Sequence, residues 1–138
     1  MTVVWENIRV GDELPVVRKK PGVTDLVKYS AGSGDFNPLH HDYDFPQSKM
    51  LGSIIVHGRY KYALLGQVVS DWIGHAGRIR TISCQYRGMD FPDQEMTCGG
   101  RVSEKWEKDG KRFVRLQLWT QNHEAKKTTP GEAVVEMR

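Results

Sequence analysis

The densest chemistry in this 138-residue chain lies between Tyr29 and Asp42, where Asp35, Asn37, His40, His41 and Asp42 are gathered around two glycines and a proline. Gly32-Ser33-Gly34 frees the backbone for a sharp turn just before Asp35, because glycine reaches positive φ without steric cost. Pro38 fixes its own φ and pushes Asn37 out of the helical region, so Asp35 to His40 reads as a rigid, non-helical bend. Five residues apart across that bend, Asp35 and His40 could converge on one water. The carboxylate would orient or deprotonate it and the imidazole would share the proton traffic. Downstream, His57-Gly58 stands at the start of a long apolar helix. Unpaired backbone N–H groups and the positive end of the helix dipole there suit a developing negative charge, and Gly58 permits close approach.

Each of these residues has a plainer reading. An isolated Asp-x-Asn-Pro-x-His is equally compatible with an Asx-type turn and a structural histidine. A glycine opening a buried helix at compatible spacing favours catalysis. His40, His41, Asp42 and His57 offer the residue types of a two-histidine, one-carboxylate metal set. Adjacent histidines in an extended stretch point opposite ways, however, so no metal is expected. His41 and Asp42 then read as solvated or loop-bracing residues, and His75 and His123 as surface positions. Gly32-Ser33-Gly34 lacks the following Lys-Ser/Thr and the Rossmann context of a nucleotide loop.

The elements that must position these groups can be read outward from them. Glu13 to Lys19 reads as a first strand, with Pro15 suited to an edge. Thr24 can cap a helix carrying Leu26, Val27 and Tyr29, which Gly32 can end, delivering the chain into the bend. Phe45 to Gly52 reads as a short helical or irregular excursion. From His57, Tyr60, Leu64, Val68 and Trp72 recur every four residues, with Ala63, Leu65 and Val69 widening the face, so a long and largely enclosed helix is predicted. Tyr60, Leu64, Val68 and Trp72 are core first and tunnel lining second. Strands are expected over Arg78–Tyr86, Glu95–Trp106, Phe113–Gln121 and Thr129–Met137. In the third of these, Val114, Leu116 and Leu118 alternate with Arg115 and Gln117, and Asp109-Gly110 supplies the hairpin turn before it. One long helix followed by antiparallel strands is an α+β pattern in which the sheet curls around the helix.

Composition narrows the function classes. Hydrophobic content of 38% and charged content of 27% suit one domain spanning residues 1–138, with its own core and no membrane span. The first residues lack a signal peptide's basic flank and apolar core, so a cytoplasmic location is expected. Cys84 and Cys98 have no ligand pairs nearby and read as small buried hydrophobes. A net charge of +3 is too mild and scattered for nucleic acid, though it suits an anionic small molecule.

The run Ser33-Gly34-Asp35-Phe36-Asn37-Pro38-Leu39-His40, followed by Ile55-Val56-His57-Gly58, resembles the signature of the MaoC-like R-specific enoyl-CoA hydratases and 3-hydroxyacyl dehydratases. Weaker similarity runs from Val10-Gly11-Asp12 to Pro130–Val135. The resemblance implies a hot-dog fold, an antiparallel sheet wrapped around one long central helix. It also implies a homodimer, or a heteromer with a second hot-dog chain, acting on a coenzyme A or acyl carrier protein thioester without metal or redox cofactor. Asp35 and His40 take the family's catalytic positions, and the Gly58 amide takes that of the oxyanion donor. Asn37 would hold the bend or the water, and His57 and Arg59 would support the site. Pro46 stands where the family has alanine or serine, with Ser48 suggesting a local shift, and Arg59 stands where methionine is common. Arg59 could meet a coenzyme A phosphate, pair across a dimer interface, or partly block the pocket. Two alternatives share the thioester pocket: a hot-dog thioesterase, and a non-catalytic acyl-thioester-binding or heteromeric partner subunit.

Overall fold

In the computed structural model, which describes residues 2–138, the first strand is shorter than its sequence suggests. Strand β1 covers only Val17–Lys19, while Glu13 makes an isolated antiparallel bridge to Arg101. Pro15 lies between them and has no N–H to give, which breaks the ladder into two pieces. Helix α1 follows at Val23–Ser33. Its N-cap is Gly22 rather than Thr24, and Asp25 Oδ2 accepts the Gly22 N–H at 2.8 Å, supplying one of the partners a helix start needs. It runs through Gly32 and stops at Gly34, which takes the left-handed conformation at φ 79° and donates its N–H to the Ser30 carbonyl. The expected stop at Gly32 is therefore two residues early, because it is Gly34 that takes positive φ and ends the helix.

After the bend, Pro38–His40 forms a single 3₁₀ turn, and α2 occupies Pro46–Leu51, with Pro46 at the first turn and Gly52 closing the helix at φ 76°. Pro46 is exposed and Ser48 is buried, so the small residue two positions on, not the proline, faces inward here. Helix α3 spans Gly58–Ile73. Its buried stripe is Lys61, Leu64, Leu65, Val68, Val69 and Ile73, whereas Ala63 on the opposite side is exposed. The helix is therefore covered along one broad face, not all round.

The remaining strands are β2 (Gly77–Cys84), β3 (Met96–Lys108), β4 (Lys111–Gln121) and β5 (Lys127–Met137). They join β1 in a five-stranded, wholly antiparallel sheet of order β1-β3-β4-β5-β2. Asp109 and Gly110, at φ 53° and 75°, make the two-residue β3–β4 hairpin, as the Asp-Gly signal predicts. In β4, Val114, Leu116 and Leu118 are buried, so the predicted alternation sets the face of the sheet. α3 packs against all five strands. Leu65, Val68 and Val69 meet Val102, Val114 and Val135 in one core in which none of the six is more than 1% exposed. A single antiparallel sheet curled around one long helix is the hot-dog fold. No helix among the described residues is long and apolar enough to cross a membrane.

Candidate functional site

The bend between α1 and α2 is built by local hydrogen bonds. Asn37 Oδ1 accepts the Leu39 N–H at 3.0 Å, which caps the 3₁₀ turn, and the Asn37 N–H donates to Asp35 Oδ1 at 3.3 Å. This is Asx-turn geometry, and it fixes Asp35 and His40 to the same small loop. Asn37 thus holds the bend.

His40 is set from the other side. Its Nδ1 lies 2.8 Å from the Ile55 carbonyl, which can only accept, so Nδ1–H is the donor. In the neutral ring that leaves the lone pair on Nε2, which faces Asp35 Oδ2 at 3.8 Å. That separation is too long for a hydrogen bond. It is short enough for both atoms to contact one water at about 2.8 Å each. The Asp35 side chain is 38% exposed and that of His40 only 10%, so the carboxylate opens outward while the imidazole forms the wall behind it.

His57 lies directly behind His40. The two rings stack at 3.9 Å between centroids and 21° between planes, and Tyr29 meets His57 edge-on at 4.8 Å. His57 is fully buried, its Nε2 is 2.9 Å from Ser30 Oγ, and its Nδ1 has no hydrogen-bond partner. Burial first, then the nearby His40, push the His57 imidazole below its ordinary value, so a neutral ring backs the Asp35–His40 pair. Asp35, His40 and His57 each bring a potential ligand atom within 4.8 Å of the others. The nearly parallel stack keeps the two imidazole lone-pair directions side by side, whereas a chelated ion needs them to converge.

His57 is also the N-cap of α3. The first helical bond of α3 is Lys61 N–H to the His57 carbonyl, 3.3 Å, so the amides of Gly58, Arg59 and Tyr60 precede the ladder. A Cβ on Gly58 would stand 3.1 Å from the Tyr86 ring, which packs over this residue as closely as a glycine allows. A cleft of about 390 Å³ opens beside it, lined by Ile55, Gly58, Lys61, Tyr86, Arg87 and Met89. Arg59 is exposed beside Tyr29 and Tyr86. Burial raises both phenols, and the positive charge of Arg59 draws them partway back. His41 braces the loop by donating from Nε2 to the Phe36 carbonyl at 3.2 Å, and Asp42 Oδ1 accepts the Asp44 N–H. The structure thus brings Asp35, Asn37, His40 and His57 together, while Gly58, next to His57 in the chain, lines the adjoining cleft, to which neither Asp35 nor His40 contributes; His41, Asp42 and Arg59 are exposed.

A buried ion pair below Gly58 escapes sequence reasoning. Lys61 and Asp90, each 2% exposed, meet at 3.1 Å between Nζ and Oδ2. Lys61 Nζ also donates to the Gly88 carbonyl at 2.8 Å. Thr128 Oγ1–H donates to Asp90 Oδ2 at 2.6 Å and takes a hydrogen bond from Thr120 Oγ1 at 2.9 Å. The Asp90 carbonyl receives the Val56 N–H, so this group ties the 88–90 segment to the residues just before α3. The available signal is Lys61 itself, a lysine on the stripe that continues as Leu65 and Val68. Both cysteines are free, and burial pushes the Cys98 thiol up to about 12.

The MaoC-like domain family matches residues 7–123, and the chain belongs to it. Among solved structures the fold is similar to an (R)-hydratase from A. caviae involved in PHA biosynthesis, at 24% identity and TM-score 0.85, covering 96% of this chain and 99% of that one. It is also similar to the ChsH1-ChsH2 complex from Mycobacterium tuberculosis, at 23% identity and TM-score 0.79, covering 94% of this chain and 98% of that one. Among curated relatives, the fatty acid synthase subunit beta of Aspergillus oryzae is 29% identical over 117 residues, which is 83% of this chain. The chain spans only 6% of that relative's length.

Proposed function

We propose that the protein hydrates trans-2-enoyl thioesters to (R)-3-hydroxyacyl thioesters, or runs the reverse dehydration. The observation that carries this reading is the Asp35 Oδ2 to His40 Nε2 separation of 3.8 Å, with His40 Nδ1 committed to Ile55. A water lodged between the two atoms has one hydrogen facing the carboxylate and one facing the Nε2 lone pair. As its oxygen bonds to C3 of the thioester, the pair takes one proton from it, and that proton returns to C2 on the same face. The hydrogen and the hydroxyl of the product thus both come from one water, added syn. Electron density that moves onto the thioester oxygen in between is met by the Gly58 amide at the start of α3, and loss of one such donor costs about 3 kcal/mol of barrier. The step needs no electron transfer and no metal-bound hydroxide, so coenzyme A or acyl carrier protein enters only as part of the substrate. Family membership supports the reaction class, and the fatty acid synthase and (R)-hydratase relatives support a place in acyl-chain metabolism.

The ChsH1-ChsH2 likeness favours a second reading for assembly, in which the chain works beside another hot-dog subunit. Turnover by the purified chain separates the two. Crotonyl-coenzyme A should lose its enoyl absorbance and yield the R-3-hydroxy product, and Asp35→Asn should lower the rate by about 10²–10⁴ with the fold intact. No turnover despite measurable thioester binding would place this chain as the partner subunit, and release of free thiol would make it a thioesterase.

A further inference from the structure

The cleft beside Gly58 has a charge character that hydration of a plain alkyl chain does not use. Its wall carries two cations, Lys61 and Arg87, and no acidic residue. Arg87 Nε donates to Gln85 Oε1 at 2.8 Å, a neutral partner, so the charge of its guanidinium is not offset there. Lys61 is the deeper of the two, at 2% exposure. Gly88 O and Asp90 Oδ2 use two of its three N–H donors. Asp90 does not line the cleft, and its Oδ2 is shared between Lys61 and Thr128. An apolar pair in place of Lys61 and Asp90 together would serve the fold as well here, because a buried ion pair is often no more stabilising than well-packed hydrocarbon.

Gly58 and Lys61 are three residues apart on α3, hence neighbours on one face about 5–6 Å apart. Helical side chains lean toward the N-terminus, so Lys61 reaches back toward the turn that carries Gly58.

We propose that this cleft binds acyl chains ending in a carboxylate, so that the substrates are monothioesters of dicarboxylic acids, with Lys61 as the anchor of the distal carboxylate and Arg87 at its mouth. This rests on reading the Gly58 wall as a thioester site. The same cations could instead meet a phosphate of the carrier arm, and the choice of thiol decides between those sources.

The test is equilibrium binding by calorimetry of glutaryl and butyryl thioesters, each made with coenzyme A and with pantetheine, which carries no phosphate. Neither saturated acyl group can be hydrated, so binding is read apart from turnover. The glutaryl thioesters should bind about tenfold more tightly than the butyryl thioesters in both thiol series, the value of one charge-assisted hydrogen bond. Lys61→Met combined with Asp90→Asn removes both charges together and keeps an acceptor for Thr128, and it should abolish the preference. Equal binding of the two acyl groups, or a Lys61 dependence confined to the coenzyme A series whatever the acyl end, overturns the anchor. Hydration assays with crotonyl- and glutaconyl-coenzyme A then separate the two layers. Turnover without a carboxylate preference sinks the anchor alone, whereas a glutaryl preference without turnover of either enoyl compound sinks the hydratase reading and leaves the anchor standing.

Discussion

Lys61→Met removes one member of a charge pair whose members are each 2% exposed, and the consequence can be worked from what remains. Asp90 would keep the Thr128 hydroxyl on Oδ2 at 2.6 Å, while its Oδ1, already without a partner, would still have none. A buried carboxylate left with one neutral donor is the costly half of a broken pair, and such removals destabilise by about 3–5 kcal/mol. For a domain whose whole stability is roughly 5–15 kcal/mol, that is a large fraction. With a urea m-value of about 1–3 kcal/mol/M, the unfolding midpoint should fall by roughly 1–5 M. Lys61→Met with Asp90→Asn removes the stranded charge as well, and should recover to within about 2 kcal/mol of the parent. Tryptophan fluorescence in urea reads all three proteins on one scale. The reasoning fails if Lys61→Met unfolds at the parent midpoint, or if the double variant is as damaged as the single one.

Gly58→Ala places a methyl group 3.1 Å from the Tyr86 ring, but Tyr86 is 55% exposed and can swing away. Stability should change by less than about 1 kcal/mol, while KM rises and kcat holds because the amide N–H is untouched; a collapse of kcat at constant KM would contradict this picture of the wall. For His57, the folded imidazole is depressed by burial, so the unfolded chain binds the proton more readily. Its contribution is fully present above the unfolded value of about 6.5 and is lost as the pH falls from there through the folded value. The urea midpoint should therefore drop between pH 7.5 and pH 5.5 by more in the parent than in His57→Gln, and parallel drops would remove His57 as the source.

The parts of this structure written in local sequence were legible in it. Asp109-Gly110 has the backbone freedom of a two-residue hairpin, and the alternation in β4 names its buried face. Asn37-Pro38 encodes the bend that joins Asp35 to His40. Legibility ends where a feature depends on distant chain. The choice of Gly34 over Gly32 as the helix stop depends on which glycine is driven to positive φ, and both have the same composition signal. The partner of Lys61 is Asp90, on a loop beyond β2, and only the closed sheet brings them together. The His40–His57 stack likewise needs α1, the bend and the start of α3 docked at once, although both motifs were visible separately.

The strand order has a consequence for how the chain reaches this state. Among the described residues β2 pairs only with β5, and β5 comes after the other four strands in chain order, lying between β4 and β2. While the ribosome is still delivering β3 and β4, α3 exists without the strand that covers part of its apolar stripe, and β2 waits with both edges open. Pairings this far apart in sequence form late, after the hairpin of β3 and β4. Closure of the sheet over α3 thus waits on β5, and a chain stalled before Lys127 would present its unpaired β2 edge to other proteins.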